Sequence, residues 1–415
     1  MSNSSIISFE KLKQAIALTK VNIKSFPNRF VASSVSMLSI ACVSAVILSV
    51  LAMTQGMIKT LERTGLDNTL IIMRAGAVSE LQSVMFPMEV NILANHQQVL
   101  KDKNSRAIYS AEMFVSAEVT IAADDSLAKA DVQTDSKLEK LALRGISQNT
   151  YAFRPNFKIL TGEKFKTGLR QVIIGQAIAR KMPQLQVGTS ISLGGTDWLI
   201  SGVFTDNNSV FESELWADIG MVQSDYQRGN TIQSIRLAVK DNTDLVALNK
   251  EWQDDPRLNV RIMAEKEFFA SQAKNLTRLI RWIGFPVAFV MALGAMIAAL
   301  NTMYSTIASR SKEIATHKAI GFSPFAISFS ILTEALLIAL VGGLIGILPL
   351  YFAFDGLTAS SQNANNLSQM MFNFDISMLL IGQALLVSIV IGLLGGLLPA
   401  LKAMRLPVTT ALRDN

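Results

Sequence analysis

The chain of 415 residues has a hydrophobic fraction of 50%, a charged fraction of 17% and a mean hydropathy of +0.34. These values exclude an ordinary soluble protein and indicate an integral membrane protein. The net charge of +6 could suggest a nucleic-acid partner, but the basic residues lie beside apolar segments, so we expect none.

Four apolar stretches occur in a one-plus-three arrangement around a long polar segment. Each approaches or exceeds the about 20 apolar residues that a membrane helix needs. The predicted organisation is an amphipathic N-terminal segment (1–29), a first membrane helix (30–53), a large external domain with helical stalks (54–279), a second helix (280–303), a cytoplasmic loop (304–324), a third helix (325–354), a short external loop (355–375), a fourth helix (376–401) and a tail (402–415).

The distribution of Lys and Arg predicts the orientation in the membrane. Basic residues precede the first helix, lie between the second and third, and follow the fourth, whereas the loop 355–375 has none. By the positive-inside rule, both termini are cytoplasmic and the large domain faces outward. Lys274, Arg278 and Arg281 oppose this orientation, but they flank a long domain, where the rule is weak. The length of the first apolar run favours an uncleaved signal anchor.

The external segment alternates short runs of Val, Ile and Leu with turn residues, which predicts a mixed α/β domain. Strands are predicted at Leu70–Arg74, Phe114–Ala122, Leu141–Ile146, Gln171–Ile174, Ser190–Leu193, Trp198–Phe204 and Ser234–Val239, and helices at Met88–Asp102, Gln176–Lys181 and Thr243–Gln253. The segment Asp124–Asp135 is predicted to be an exposed loop. The single cysteine, Cys42, lies in the first apolar run, so the external domain has no disulfide.

Two segments next to the membrane are predicted to be rigid stalks. Glu265–Leu279 contains no Gly or Pro, so we expect it to be continuous with the second membrane helix. The first membrane helix is expected to extend through Gln55–Arg63. Neither segment is rich in Gly and Ser, as a flexible linker would be.

Within the predicted membrane helices, two kinds of residue are candidates for specific roles. Gly342 with Gly346, and Gly392 with Gly396, form GxxxG pairs that serve either packing within the chain or a dimer interface. Glu334 is an acid inside the third helix, where an unpaired carboxylate is costly. It is either a structural anchor, bonded to Asn301 or to a neighbouring chain, or a residue of coupling or substrate contact.

The loop between the second and third helices is charged and helical in character as far as Gly321, a candidate helix C-cap. Ile314, Lys318 and Gly321 share one helical face. This helix either docks onto a cytoplasmic partner or is an ordinary basic loop near lipid headgroups.

The sequence contains no phosphate-binding loop, GxGxxG, HExxH or CxxC motif, and its two histidines, His96 and His317, are far apart. We therefore expect no catalytic, metal or cofactor site in this chain, and energy supplied by another polypeptide.

Several motifs together resemble one family. The run R-S-K-E-I-A-T-H-K-A-I-G at Arg310–Gly321 resembles the R-x-x-E-I-x-x-x-x-A-[IVL]-G signature of the FtsX-like, or MacB-like, permeases of ABC transporters. Further stretches are similar to the family's third helix, tail and periplasmic core domain: Leu332–Leu336, Gly342–Gly346, Pro399–Arg413, Leu143–Ile146, Val172–Arg180, Val187–Gly188 and Ile200–Phe204. The chain departs from the pattern at Ala315, where Gly is common, and at Pro407, which lies one residue early.

The resemblance implies a permease of the bacterial inner membrane that works as a dimer, with a second copy or a paralogue, on a dimer of ATPase subunits that bind the ATP. A periplasmic adaptor is a further expected partner. The loop would be the coupling helix that docks on the ATPase, with Arg310, Glu313, Ile314, Lys318, Ala319 and Gly321 as its coupling residues. ATP-driven motion would then pass through the stalks to the external domain.

Two functions agree with this resemblance, and a third agrees less well. The first is export or extraction of an extracytoplasmic substrate, favoured by the single large domain after the first helix. The second is a non-transporting regulator of an external enzyme or sensor. A receptor with no ATPase is opposed by the coupling-loop motif. The substrate cannot be identified from the sequence, because external surfaces vary freely on one scaffold.

Overall fold

The computed structural model describes residues 13–20, 22, 30–66, 68–121, 139–241, 243–354, 357–362 and 369–408. The chain divides into two compact units. We call Met1–Gln55, Arg278–Leu357 and Phe374–Asn415 the membrane unit, and Gly56–Thr277 with Thr358–Asn373 the α/β domain. The predicted exposed loop Asp124–Asp135 lies outside the described residues, as does most of the N-terminal segment.

Residues 13–20 and 22 are helical, and the α-helices from residue 30 onward are numbered in chain order. They are α1 (Phe30–Glu62), α2 (Pro87–Ala94), α3 (Gln176–Lys181), α4 (Ile219–Asp225), α5 (Leu245–Asp254), α6 (Glu265–Ser309), α7 (Ser311–Ala319), α8 (Pro324–Phe354) and α9 (Met378–Arg405). The four long helices, α1, α6, α8 and α9, are long and apolar enough to cross a membrane. The predicted one-plus-three arrangement, with a large α/β domain between the first and second membrane helices, is confirmed.

Helix bounds in the structure extend beyond the predicted apolar cores. α1 continues to Glu62, and α6 runs unbroken over 45 residues from Glu265. Good helix formers and the absence of Gly and Pro at the start of α6 account for this continuity. Pro286 lies within α6 but does not end it.

Small residues allow close packing within the membrane unit. A Cβ atom added to any of the four predicted packing glycines would fall within 3.0 Å of a neighbouring helix. The nearest atoms are Met37 O for Gly342, Ala41 O for Gly346, Ala339 Cβ for Gly392 and Ala335 Cβ for Gly396. These glycines therefore lie at contacts between α1, α8 and α9 inside one chain.

The strands of the described residues are β1 (Thr69–Arg74), β2 (Tyr109–Ile121), β3 (Glu139–Ile146), β4 (Lys158–Gly162), β5 (Gln171–Gly175), β6 (Ser190–Leu193), β7 (Thr196–Thr205), β8 (Glu214–Asp218), β9 (Ser234–Ala238), β10 (Val260–Ala264), β11 (Thr358–Gln362) and β12 (Gln369–Asn373). Ten of them form one sheet in the order β10-β1-β9-β2-β3-β8-β5-β7-β4, with β6 paired to β2 and β7. Most pairs are antiparallel, but β3–β8 and β5–β7 are parallel.

Three apolar clusters fill the α/β domain. One contains Trp198 and Val222 with neighbours from β2, β3, β5 and β7. A second, around Trp252, covers β1 and β9. The third gathers aromatic side chains around Trp216 and includes Phe268 and Phe269 of α6. The beginning of α6 is thus part of the core of this domain.

The short loop between α8 and α9 contains a β-hairpin, β11–β12, that belongs to the α/β domain. Met371 of β12 is buried in the cluster around Trp198. Ser213 fixes the hairpin, because its hydroxyl donates to Met371 O at 3.1 Å and accepts from Met371 N at 3.0 Å. The sequence predicted a plain loop here.

The helix predicted over Met88–Asp102 is wrong beyond Ala94. Helix α2 ends at Ala94, and the following residues make isolated β-bridges, Val99 with Val239 and Lys101 with Ala107. The bridges supply hydrogen-bond partners for backbone N–H and C=O groups that a longer helix would have paired within itself. Strands β4, β8 and β10 and helix α4 were not predicted, because they are short and mix polar with apolar residues.

Candidate functional site

Helix α7 is the short helix between two long apolar helices, and its ends are determined by local sequence. One residue, Arg310, separates it from α6. After α7, Gly321 has a φ of +103°, and its N–H bonds to Lys318 O at 3.0 Å. Glycine adopts this conformation at little cost, so Gly321 stops the helix. Pro324 then begins α8, where its missing N–H does no harm.

Arg310 links three parts of the membrane unit. Its Nη1 donates to Glu334 Oε2 at 3.1 Å, and its Nη2 donates to Asn22 Oδ1 at 2.6 Å. Its Nε donates to Glu313 Oε2 at 2.9 Å, within the first turn of α7. Asn22 in turn donates to Ser330 Oγ at 2.6 Å. The guanidinium therefore ties α7 to α8 and to the helical segment that contains Asn22.

The anchor predicted for Glu334 has a different partner. Asn301 is exposed on α6, and Glu334 pairs with Arg310. The Glu334 side chain is only 5% exposed, so its charge needs a counter-charge nearby. A guanidinium supplies that charge, which a neutral amide cannot.

The two faces of α7 differ in their surroundings. Ile314 and Ala315 are buried, and Ile314 shares an apolar cluster with Ile327 and Ile331 of α8. Lys318 donates from Nζ to the carbonyls of Met404 at 2.9 Å and Leu406 at 2.7 Å. These carbonyls lie at the end of α9, where a cation is favoured. Burial lowers the pKa of Lys318.

The coupling residues predicted from the sequence therefore fall into two groups. Arg310, Ile314 and Lys318 face the interior of the membrane unit. Glu313, Ala319 and Gly321 are exposed, as is the neighbouring Ile320, whose side chain is 70% exposed. We call Lys312, Glu313, Thr316, Ala319, Ile320 and Gly321 the outer face of α7. The spacing predicted one shared face for Ile314, Lys318 and Gly321, which is wrong for Gly321, because α7 ends at Ala319 and Gly321 is exposed beyond it.

A second polar cluster lies in the α/β domain and was not predicted. Three arginines and four glutamates are buried together and form ion pairs with one another. Apart from the closer pair of Arg236 with Glu112, the N–O distances are 2.7–3.3 Å. The seven residues are Arg144, Arg154, Arg236, Glu80, Glu112, Glu214 and Glu265. We call these seven residues the charge ladder. Arg144 contacts three of the four glutamates, Glu80, Glu112 and Glu214. The signal that could have found it is a charged residue inside the apolar strand run L-A-L-R-G-I of β3.

The charge ladder shifts the ionisation of its members. Burial alone would raise the pKa of Glu80, but Arg144 and Arg236 outweigh it and hold the pKa well below its ordinary value. Burial also opposes ionisation of Glu265, yet Arg154 and Arg236 lower its pKa. Both carboxylates are therefore charged at neutral pH despite their burial.

The described residues contain no cluster of three His, Cys, Asp or Glu side chains that could hold a metal ion. His96 pairs with Glu251 at 3.1 Å, and His317 makes an edge contact with Phe322. The notable polar features in the part of the chain that the structure describes are thus α7 with Arg310, and the charge ladder.

Two family models match the chain. The MacB-like periplasmic core domain matches residues 33–255, and the FtsX-like permease C-terminal domain matches residues 286–408. The first match ends before α6, and the second covers the second half of α6 together with α7, α8 and α9.

Individual relatives are distant in sequence. The macrolide export ATP-binding/permease protein MacB of Neisseria meningitidis serogroup A is 25% identical over 292 residues, which cover 66% of this chain and 44% of the relative. The ABC transporter permease YknZ of Bacillus subtilis is 26% identical over 267 residues, covering 62% of this chain and 64% of the relative. The match spans less than half the length of this MacB relative.

Among solved structures, the periplasmic region of MacB from Actinobacillus actinomycetemcomitans matches with a TM-score of 0.37 and 13% identity, over 52% of this chain and 96% of that one. The extracellular domain of YknZ matches with a TM-score of 0.35 and 14% identity, over 47% of this chain and all of that one. The two family models, which together cover most of the sequence, are the stronger finding. The chain belongs to the MacB/FtsX-like permease family of ABC transporters.

Proposed function

We propose that this chain is the permease subunit of an ATP-driven exporter and that it converts ATP hydrolysis on separate ATPase subunits into motion of the α/β domain. The observation that carries the proposal is the two-sided environment of α7. Its inner face is held by Arg310, Ile314 and Lys318, while its outer face is exposed. A partner that pushes on the outer face would move α6 and α8 with it.

The exposed residues on α7 suit a protein partner. Ile320 offers an apolar contact, and Glu313 offers a charge at the first turn. An apolar residue exposed beside charged ones is typical of the centre and rim of an interface. The outer face is small, which agrees with a helix that inserts into a groove.

Energy is proposed to come from another polypeptide. No GxxxxGK[ST] phosphate loop occurs in the 415 residues, whereas the MacB relatives are named as ATP-binding/permease proteins. We propose that two ATPase subunits bind the ATP and dock on two permeases, the second being either another copy of this chain or a paralogue.

The proposed location is the inner membrane of a bacterium, with both termini and α7 in the cytoplasm. The basic residues Arg310, Lys312 and Lys318 support this orientation, since Lys and Arg are enriched on the cytoplasmic side. The α/β domain then lies outside, where it would meet the exported substrate and an adaptor protein.

The test is affinity purification of the chain from its native membrane. We expect an ATP-binding-cassette subunit to be recovered, and to be lost from the Glu313→Ala and Gly321→Trp variants, which still insert in the membrane. The matched control is Glu163→Ala, an equal change at an exposed position of the α/β domain. Recovery of a periplasmic adaptor supports export, and recovery of a hydrolase or sensor kinase supports the regulatory alternative. Unchanged ATPase recovery with both α7 variants would contradict the docking role of α7.

A further inference from the structure

The large sheet of the α/β domain consists of two half-sheets that share one strand. Residues 109–112 of β2 pair with β9, and residues 113–119 pair with β3. We call β9, β1 and β10, which lie on one side of β2, the near half-sheet, and β3, β8, β5, β7 and β4 the far half-sheet. β6, which pairs with β7 and with residues 119–121 of β2, belongs to the far half-sheet. The two halves pair mainly with different stretches of β2, so β2 is the strand that joins them.

The charge ladder crosses this junction at β2. Arg236 is on β9, Glu112 is on β2, Arg144 is on β3 and Glu214 is on β8, so the charges follow four neighbouring strands. Arg236 pairs with Glu112, which also accepts from Arg144 at 2.8 Å. Arg144 then donates to Glu214 from two nitrogens, each at 2.7 Å. Glu112 stands at the point where β2 changes partners.

Glu265 joins this ladder to the second stalk. It is the first residue of α6, and it is fully buried. Its Oε1 accepts from Arg236 Nε on β9 at 2.8 Å, and from Arg154 Nη2 at 2.8 Å. Arg154 lies in the connection between β3 and β4, so Glu265 bonds with one carboxylate to a strand of one half-sheet and to a connection of the other.

The first stalk meets the second at the same place. The backbone N–H of Leu66, just beyond α1, donates to Glu265 Oε2 at 3.3 Å. A Cβ atom on Gly65 would lie 2.4 Å from the Cα of Lys266, so the two chain segments touch there. Thr64 Oγ1 accepts from Val210 N at 2.9 Å, which anchors the first segment to the far half-sheet.

We propose that Glu265 is a positioning residue that fixes the base of α6 to both half-sheets, so that the stalk moves the whole α/β domain instead of one half of it. The near half-sheet is attached to α6 directly, because β10 leads into that helix. The far half-sheet has no such covalent link to α6 and depends on β2, on the aromatic cluster around Trp216 and on the ladder. The mechanical part of this inference rests on the proposed function, whereas the rigid attachment itself does not.

A buried ion pair seldom gives the greatest folding stability, because apolar residues of similar volume often stabilise the folded state as much or more. A network with fixed geometry can instead select one arrangement among several. The seven charged side chains of the ladder lie where two half-sheets and two stalks meet, so they are placed to select one arrangement of these four parts.

The test measures distances between spin labels in the full chain in detergent. Cys42→Ser gives a cysteine-free background, since Cys42 is the single cysteine. Labels are placed at exposed positions: Lys274→Cys on α6, Lys250→Cys on the near half-sheet side and Asp197→Cys on the far half-sheet. The distributions of the 274–250 and 274–197 distances are then recorded by pulsed electron paramagnetic resonance.

In Glu265→Gln we expect the 274–197 distribution to become at least twice as wide, while the 274–250 distribution is unchanged. Arg154→Lys, which keeps the charge but loses the guanidinium geometry, should widen the same distance by less. The control Glu118→Gln removes a carboxylate from the exposed pair with Lys140 on the same sheet and should change neither distance.

Two results would overturn the proposal. If both distances stay narrow in Glu265→Gln and Arg154→Lys, the far half-sheet does not depend on Glu265. If both distances widen equally, Glu265 supports the fold in general and does not position the stalk. No ATPase or nucleotide is present in this experiment, so its outcome is independent of whether α7 binds an ATPase.

Discussion

Arg310 and Glu334 form an ion pair at 3.1 Å that joins the beginning of α7 to the interior of α8. Both side chains are largely buried, with exposed fractions of 12% and 5%. A helix that is held by a buried charge on a neighbouring helix cannot move independently of it. The pair therefore makes α7 part of the membrane unit and not a separate surface helix.

Removing one partner of this pair should destabilise the chain. Arg310→Met leaves the Glu334 carboxylate buried without its counter-charge, and losses of this kind are about 3–5 kcal/mol. We expect a clear fall in the melting temperature of the detergent-solubilised protein, and a comparable fall for Glu334→Gln. The double variant Arg310→Met/Glu334→Leu should recover much of the loss, because it leaves no charge unpaired. A double variant no more stable than the single ones would contradict this account.

Gly346 should tolerate no side chain. A Cβ there would lie 2.2 Å from Ala41 O and 2.5 Å from Ser44 Oγ, so α1 and α8 would have to separate. We expect Gly346→Val to lower the melting temperature strongly, in line with overpacking costs of about 1–3 kcal/mol or more. The matched control is Gly382→Val on α9, where a Cβ meets nothing within 4 Å. If the two variants melt alike, close helix packing at Gly346 is not required.

Gly321 should be sensitive to backbone strain alone. Its φ of +103° is unfavourable for any residue with a Cβ, yet a Cβ there meets nothing within 4 Å. Gly321→Ala should therefore cost about 1–2 kcal/mol of stability without a steric clash. Gly321→Asn should cost less, because Asn tolerates positive φ better than Ala. A larger loss for Gly321→Asn than for Gly321→Ala, seen by thermal unfolding, would show that side-chain size and not backbone conformation matters.

Much of the fold could be predicted from the sequence, and the reason is the strength of the apolar patterns. The membrane helices and the strands rich in Val, Ile and Leu, such as β5, follow directly from them. β8 and the hairpin β11–β12 could not be predicted in this way, since E-L-W-A-D and T-A-S-S-Q show no clear alternation. Their pairing depends on partners far away in the chain.

In the candidate sites, too, local features could be predicted from the sequence, and contacts between distant residues could not. The position of α7 and its stop at Gly321 are local features, so the sequence revealed them. The orientation of Lys318 towards the end of α9, and the ion pairs of Arg144, depend on residues 86 and 70 positions away. Charged residues are usually exposed, and no local pattern marks the few that are buried.

The charge ladder predicts acid sensitivity of the α/β domain. The pKa values of Glu80 and Glu265 are lowered from the ordinary value of 4.5, so their ionised forms stabilise the folded state. That stability is complete above about pH 4.5 and is lost progressively as the pH falls towards the folded-state values. Tryptophan fluorescence should therefore report unfolding of the domain below this pH, since Trp216 donates to Glu214 within the ladder.

The control for this acid titration is an exposed pair. Hydrogen bonds from Arg257 lower the pKa of Asp255 to about 2, but the pair is on the surface and contributes little. Asp255→Asn should thus leave the acid transition in place, whereas Glu80→Gln should destabilise the domain already at pH 7. An acid transition that lies at the same pH with and without the Glu80→Gln change would contradict the role given to the ladder.

The hairpin β11–β12 has a consequence for how the protein is made. Met371, which completes an apolar cluster of the α/β domain, comes more than 90 positions after the end of the domain's main segment at Thr277. A ribosome adds residues in order, so α6 and α8 are synthesised before the hairpin that completes this core. The α/β domain must therefore wait, with one part of its core uncovered, until three of the four membrane helices have been made. A fragment that ends at Thr277 lacks Met371, so this apolar cluster would stay incomplete in it.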